Sequence, residues 1–355
     1  MKNLLLLLLG AACAHAAAPH PAIVRAGLIN PDAPYPECHA STLVEVSPGH
    51  IAASWFGGTK ERNPDVCIYV AHQINGVWQP ATQVADGIQP DGAPRLPTWN
   101  PVLFAPRGAP LQLFYKVGPT PRDWWGMVMS SEDGGKTWGA PRRLPDGLLG
   151  PIKNKPVQMP DGSWLSASST EGNKSPNGDK DAEGWLVHFE RSRDNGQTWE
   201  KIGPVKKGPG FDAIQPSILF HRDGALQALC RTKQGVVAQT WSKDGGATWS
   251  ALTAIPLPNP NSGTDAVTLA DGRQLLVYNH AAHRADEAKG DRFPIDVALS
   301  DDGLKWRHVL TLDDEPCKSG YAYPAVIQAA DGRIHITYTL DRRFIKHVEL
   351  DPAKL

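Results

Sequence analysis

The sequence predicts an all-β chain folded as a six-bladed β-propeller, on three observations. An octapeptide of the form S-x-D-x-G-x-x-W recurs along it. Pairs of apolar, alternating segments joined by an x-Gly turn are spaced between its copies. With 34 Gly and 32 Pro in 355 residues, a helical bundle is excluded. No G-X-Y period runs through the chain, and 41% hydrophobic residues are too many for a disordered one.

The first sixteen residues stand apart from this pattern. Met1-Lys2 is a short basic start, Leu4 to Leu9 an unbroken apolar run, and Ala14-His15-Ala16 an A-x-A cleavage site. The run is too short to cross a bilayer, so residues 1–16 read as a signal peptide. Gly10 stands where a lipobox wants a branched apolar residue, so Cys13 is not expected to carry lipid. The mature chain, 17–355, is expected to be one propeller domain, secreted or periplasmic, with no membrane contact after cleavage. Lys and Arg total 36 against 37 Asp and Glu, which argues against a nucleic-acid partner held by net charge. Cys38, Cys67, Cys230 and Cys317 match no zinc spacing; they read as buried thiols or as up to two disulfides, with three pairings open. No metal or cofactor is expected.

The repeat organises the rest. Full copies end on Trp138, Trp199 and Trp249, a copy one residue shorter on Trp306, and a degenerate one on Trp78, at intervals of 50 to 61 residues. Within each, Asp binds nearby backbone amides and Gly accepts positive φ, which makes a tight turn, and Trp packs between repeats. These Asp residues are therefore structural. The hairpins turn at Pro48-Gly49, Arg107-Gly108, Asp161-Gly162, Asp223-Gly224, Asp271-Gly272 and Asp331-Gly332. Six four-stranded units result. The last lacks a box, and Ala22 to Leu28 can supply its outer strand and close the ring, which protects the sheet edges.

The boxes resemble the Asp-box, or BNR, repeats of the sialidase (neuraminidase) superfamily. The runs Cys38-His-Ala-Ser-Thr42, Trp55-Phe-Gly-Gly58 and Asn259-Pro-Asn-Ser-Gly263 are similar to its BNR-repeat-like branch. The resemblance covers roughly residues 22 to 350. It implies a site on the propeller axis, on the face opposite the boxes, built from the starts of innermost strands and the ends of second strands. It implies no further cofactor.

Read onto this chain, the sialidase pattern puts its tyrosine nucleophile at Tyr323, its acid/base aspartate at Asp65, and two of its three carboxylate-binding arginines at Arg231 and Arg292. Two positions depart. His39 replaces the first arginine, and Gln215 replaces the glutamate that assists the tyrosine. Glu171 is a substitute carboxylate from the third blade. The same face offers Asn100, Trp125, Lys155 and Arg343 as further substrate contacts, cations for an anionic sugar and a Trp face for its ring.

Three functions follow. The first is an exported sialidase-like glycoside hydrolase acting on an acidic sugar at a glycan terminus. The second, prompted by the departures, is a uronate-specific polysaccharide lyase or glycosidase using His39 with Tyr323. The third is a carbohydrate-binding propeller without activity. In each the partner is an acidic carbohydrate or glycoconjugate.

Overall fold

A computed structural model describes residues 20–172, 184–283 and 289–355. The expected signal peptide lies outside the described residues. Six antiparallel sheets form the propeller. Their innermost strands are Glu37–Ser47, Thr98–Phe104, Val157–Gln158, Ala213–Phe220, Asp265–Thr268 and Tyr321–Gln328, in blades I to VI. Blade I carries two short outer strands, Val77–Trp78 and Thr82–Ala85, both paired with Cys67–Ile74. Ring closure is as expected: Ile23–Leu28 pairs antiparallel with Phe344–Leu350 as the outer strand of blade VI.

The core lies in wedges between blades rather than in one central mass. The wedge between blades VI and I packs Leu43, Trp55 and Ala71 against Ala325, Ile327 and Ile345. The wedge between blades III and IV packs Leu165 and Phe189 against Ile218 and Ala228. Each box Trp joins its own blade to the preceding one. Trp249 of blade IV stacks on Phe189 of blade III at 3.8 Å and 8°. Trp78 of blade I meets His347 of blade VI edge-on at 5.3 Å.

The boxes explain their own turns. Asp244 accepts from the Thr248 amide and from the Ser242 hydroxyl, at 2.9 and 2.8 Å, and the Ser242 hydroxyl in turn accepts from the Gly246 amide at 2.8 Å. Gly246 sits at φ +86°, where a side chain would strain the backbone. Cys38, Cys67, Cys230 and Cys317 are free thiols. No helix among the described residues is long and apolar enough to cross a membrane.

One feature of the inner strands positions the site. Four of them break register near their start, between His39 and Thr42, Trp99 and Val102, Ile214 and Ser217, and Ala322 and Ala325. At each break a non-glycine residue takes left-handed φ: Ala40 (+59°), Asn100 (+38°), Gln215 (+58°) and Tyr323 (+53°). Such a conformation costs about 1–2 kcal/mol and re-aims a side chain off the sheet. Pro101, Pro216 and Pro324 follow three of these residues, and a residue without an N–H gives up no ladder bond at a bulge.

Candidate active site

Tyr323 stands at the centre of a cationic cluster. Its ring centroid lies 5.7 Å from Lys153 Nζ and 6.0 Å from the guanidinium carbons of both Arg231 and Arg292. Its hydroxyl oxygen accepts from Gln215 Nε2 at 3.1 Å and from Arg231 Nη1 at 3.2 Å. The left-handed bulges of blades IV and VI thus bring Gln215 and Tyr323 together across the axis.

Arg231 is 8% exposed, at the end of the second strand of blade IV. Its Nε donates to Asn261 Oδ1 at 2.8 Å, its Nη1 donates to Gln215 Oε1 at 3.3 Å, and its guanidinium lies 5.3 Å from the Trp185 ring. The fork is therefore fixed in place by protein contacts. Arg292 has a buried Nε without a hydrogen-bond partner among the described residues. Burial, then the repulsion of Arg231, pulls it down to about 10. The positive field extends outward: Lys289 is pulled below its usual value by Arg292 first and then by desolvation.

His39 closes the site from blade I. Its ring lies 4.2 Å from that of Tyr323 and edge-on to Phe56 at 5.7 Å. Nδ1 pairs with Thr339 Oγ1 at 3.0 Å, and the buried Nε2 has no partner among the described residues. Burial, followed by Arg342, Arg292, Arg231 and Lys153, pushes the imidazole well below its ordinary pKa, so it is neutral. In the tautomer that donates Nδ1–H to Thr339, the unpartnered Nε2 is a proton acceptor; in the other it is a donor.

The carboxylates fall differently from one another. Asp65 is exposed, and its Oδ2 accepts from the Thr59 amide at 2.8 Å and the Thr59 hydroxyl at 2.7 Å. Desolvation acts to raise its pKa, but the Thr59 bonds prevail and hold it below the ordinary value. It is a loop-fixing anion, ill suited to donate a proton. Glu171 is the opposite. Desolvation raises its carboxyl, against the pull of Arg231, Arg122 and Lys233, with Glu61 adding to the rise. That is the environment of a general acid. Glu61 pairs with Arg342.

The remaining sequence candidates lie outside this cluster or are spoken for. Lys155 donates to Asp265 Oδ2 at 2.9 Å and the Ala266 carbonyl at 3.1 Å, as part of the axial packing. Arg343 is exposed and lies over Phe344 at 5.1 Å; its neighbour Arg342 is the charge that acts most strongly on His39. Trp125 lies under Arg143 at 4.8 Å, in a separate cleft of about 560 Å³. Asn100 is buried on its bulge. Asn261 and Trp185 join the site without having been assigned to it from sequence, and Lys153, one of the polar residues the sequence places on this face, lies against Tyr323. The Asn259–Gly263 run was the available signal for Asn261.

Known proteins place the chain further. A BNR repeat-like domain model matches residues 49–336. No curated protein resembles the chain in sequence. Among solved structures, a protein of unknown function from Dyadobacter fermentans superimposes with a TM-score of 0.74 at 16% identity, over 93% of this chain and 98% of the other. Hadza microbial sialidase Hz136 gives 0.73 at 17% identity, over 90% and 67%. Trypanosoma rangeli sialidase, solved with 2,3-difluorosialic acid as a covalent intermediate, gives 0.67 at 16%, over 88% of this chain and 54% of that one. These identities establish a shared fold. The match over most of its length makes this chain a member of the BNR repeat-like domain family, built on the propeller that sialidases also use.

Proposed function

We propose that this protein is an exported sialidase-type glycosidase that acts on an acidic sugar at a glycan terminus. The observation that carries the reading is the Tyr323 hydroxyl, aimed by a strained bulge at Arg231 and Gln215 inside a ring of cations. Arg231, Arg292 and Arg342 supply guanidinium charge for the sugar carboxylate. Tyr323 is the nucleophile, a group that does not repel that carboxylate.

The steps balance with residues at hand. His39 Nε2 takes the phenolic proton as Tyr323 Oη bonds to the anomeric carbon. The glycosidic C–O bond breaks, and Glu171 gives its proton to the leaving oxygen. Glu171 then takes a proton from water as that water attacks the anomeric carbon. Tyr323 leaves and recovers its proton from His39. The cations that keep His39 neutral would oppose its protonation, and the bound carboxylate offsets them. Export rests on the 1–16 signal peptide.

Release of a fluorescent aglycone from a sialic-acid glycoside tests this. Turnover is expected, with a loss of about 10²–10⁴-fold in Tyr323→Phe. Near-normal turnover by that variant would end the nucleophile role.

A second reading is favoured by His39 itself, whose Nε2 is unpartnered. In uronate β-elimination, His39 takes the C5 proton, the C4=C5 double bond forms, the C4–O bond breaks, and Tyr323 protonates the leaving oxygen. An unsaturated, ultraviolet-absorbing uronate product, with no sialoside turnover, would select it. Sugar binding without turnover, unchanged in Tyr323→Phe, would select a lectin.

A further inference from the structure

Behind Tyr323 lies a lysine that no step above uses. Lys153 is 3% exposed and sits in the loop entering blade III. Its Nζ donates to Asn154 Oδ1 at 2.7 Å, to the Thr264 carbonyl at 2.9 Å and to the Pro324 carbonyl at 2.5 Å. Three acceptors around one nitrogen consume all three protons of an ammonium; a neutral amine has only two to give. The acceptors come from blades III, V and VI, and Asn154 Nδ2 extends the chain to the Gln215 carbonyl of blade IV at 2.8 Å.

Two of these contacts fall on the strained bulges. Pro324 follows Tyr323, and Gln215 is itself left-handed. The lysine stem also has a packing partner. A Cβ added at Gly263 would lie 3.0 Å from Lys153 Cε and 3.2 Å from Tyr323 Cδ2, so the Asn259–Gly263 turn presses lysine and tyrosine together.

We propose that Lys153 is a positioning residue: its ammonium pins the Tyr323–Pro324 bulge and so aims the Tyr323 hydroxyl at Arg231. The proposal deepens the reading of Tyr323 as the reacting group, but its geometry stands apart from which sugar reacts. The charged and titratable groups facing Lys153 are Asp265, Lys155, Arg231, His39 and Tyr323. Burial draws its pKa down to about 7, with Asp265 opposing and Lys155 and Arg231 adding to the fall, so the pin is expected to loosen as pH rises through neutrality.

The test uses full-length mature protein labelled with [13C]ζ-tyrosine, the Tyr323 resonance being identified by its absence in Tyr323→Phe. Lys153→Met is expected to shift or broaden that resonance while thermal unfolding stays cooperative. Lys116→Met, which removes another buried lysine that donates to the Pro151 carbonyl, is expected to leave it in place. If Lys153→Met does not fold, Lys153→Arg replaces it, since a planar fork cannot meet three converging acceptors. An unmoved Tyr323 resonance in a folded Lys153 variant, or equal movement in Lys116→Met, overturns the proposal. A sialoside that is never turned over defeats the glycosidase reading alone.

Discussion

Arg231 offers the sharpest quantitative test of the acidic-sugar reading. Replacing it with Gln removes a guanidinium that is 8% exposed and already fixed by Asn261, Gln215 and Tyr323. Its orientation is set before any ligand arrives, so little ordering cost is left to offset a bond to a carboxylate. One hydrogen bond to a charged group is worth about 1.5–3 kcal/mol. At about 1.4 kcal/mol per factor of ten, Arg231→Gln should weaken an acidic sugar by about 10–10²-fold. The methyl ester of that sugar presents no charge and should lose only about threefold. Calorimetric titration of both ligands at one salt concentration measures the ratio, with thermal unfolding as a control, since the variant also removes the Arg231–Asn261 bond. Equal losses on acid and ester would refute the assignment, because a general distortion of the pocket does not read charge.

Two further predictions concern the scaffold. Trp249→Ala removes the ring stacked on Phe189 and should cost about 3–5 kcal/mol, read by urea unfolding, whereas a loss under about 1 kcal/mol would mean that the box Trp does not hold the blades. Acid should destabilise the fold in two windows. His347, drawn down to about 3 by burial and then by His335, binds protons more weakly folded than unfolded, so stability falls as pH drops from about 6.5 toward 3. Asp194 and Asp244, held at about 2 chiefly by the hydroxyls of Thr198 and Thr248, contribute stability that is lost as pH falls from 3.8 toward 2. Asp244→Asn should make the lower window shallower, leaving Asp194's share, and keep the upper one; an unchanged lower window counts against the box carboxylates.

The sequence made the fold legible because its signals are local. An Asp-box closes on bonds within five residues, and its period needs no knowledge of distant contacts. Ring order then placed His39, Gln215, Arg231 and Tyr323 on one face, where topology alone decides which strand starts converge. The runs Cys38–Thr42, Trp55–Gly58 and Asn259–Gly263 meet at the same cluster: Phe56 meets His39, Asn261 holds Arg231, and Gly263 lets the Tyr323 ring approach. What stayed hidden depends on single-residue geometry or on distant pairing. Arg342 and Arg343 are adjacent on a tight hairpin end, and Arg342 alone has left-handed φ (+59°). Lys155 is taken up by Asp265, which no local pattern links to it. A fully buried Lys153 runs against the ordinary expectation for lysine.

The two departures from the sialidase pattern, His39 for an arginine and Gln215 for a glutamate, remove one cation and one carboxylate together. In the glycosidase reading the proton acceptor is therefore sought at His39 rather than at position 215. Gln215→Glu tests this directly. The carboxylate would take the place of an amide 3.1 Å from the Tyr323 hydroxyl and 3.3 Å from Arg231 Nη1, so the fold should tolerate it. In the glycosidase reading it gives Tyr323 a base, and turnover should hold or rise while becoming less dependent on His39, measured in a His39→Gln background. In the elimination reading it only repels the substrate carboxylate. At ~5 Å and an effective dielectric of ~20 that repulsion is about 3 kcal/mol, or on the order of 10²-fold in affinity. A Gln215→Glu protein that loses sialoside turnover, and does not compensate for His39→Gln, would refute the transfer of base function from one blade to another.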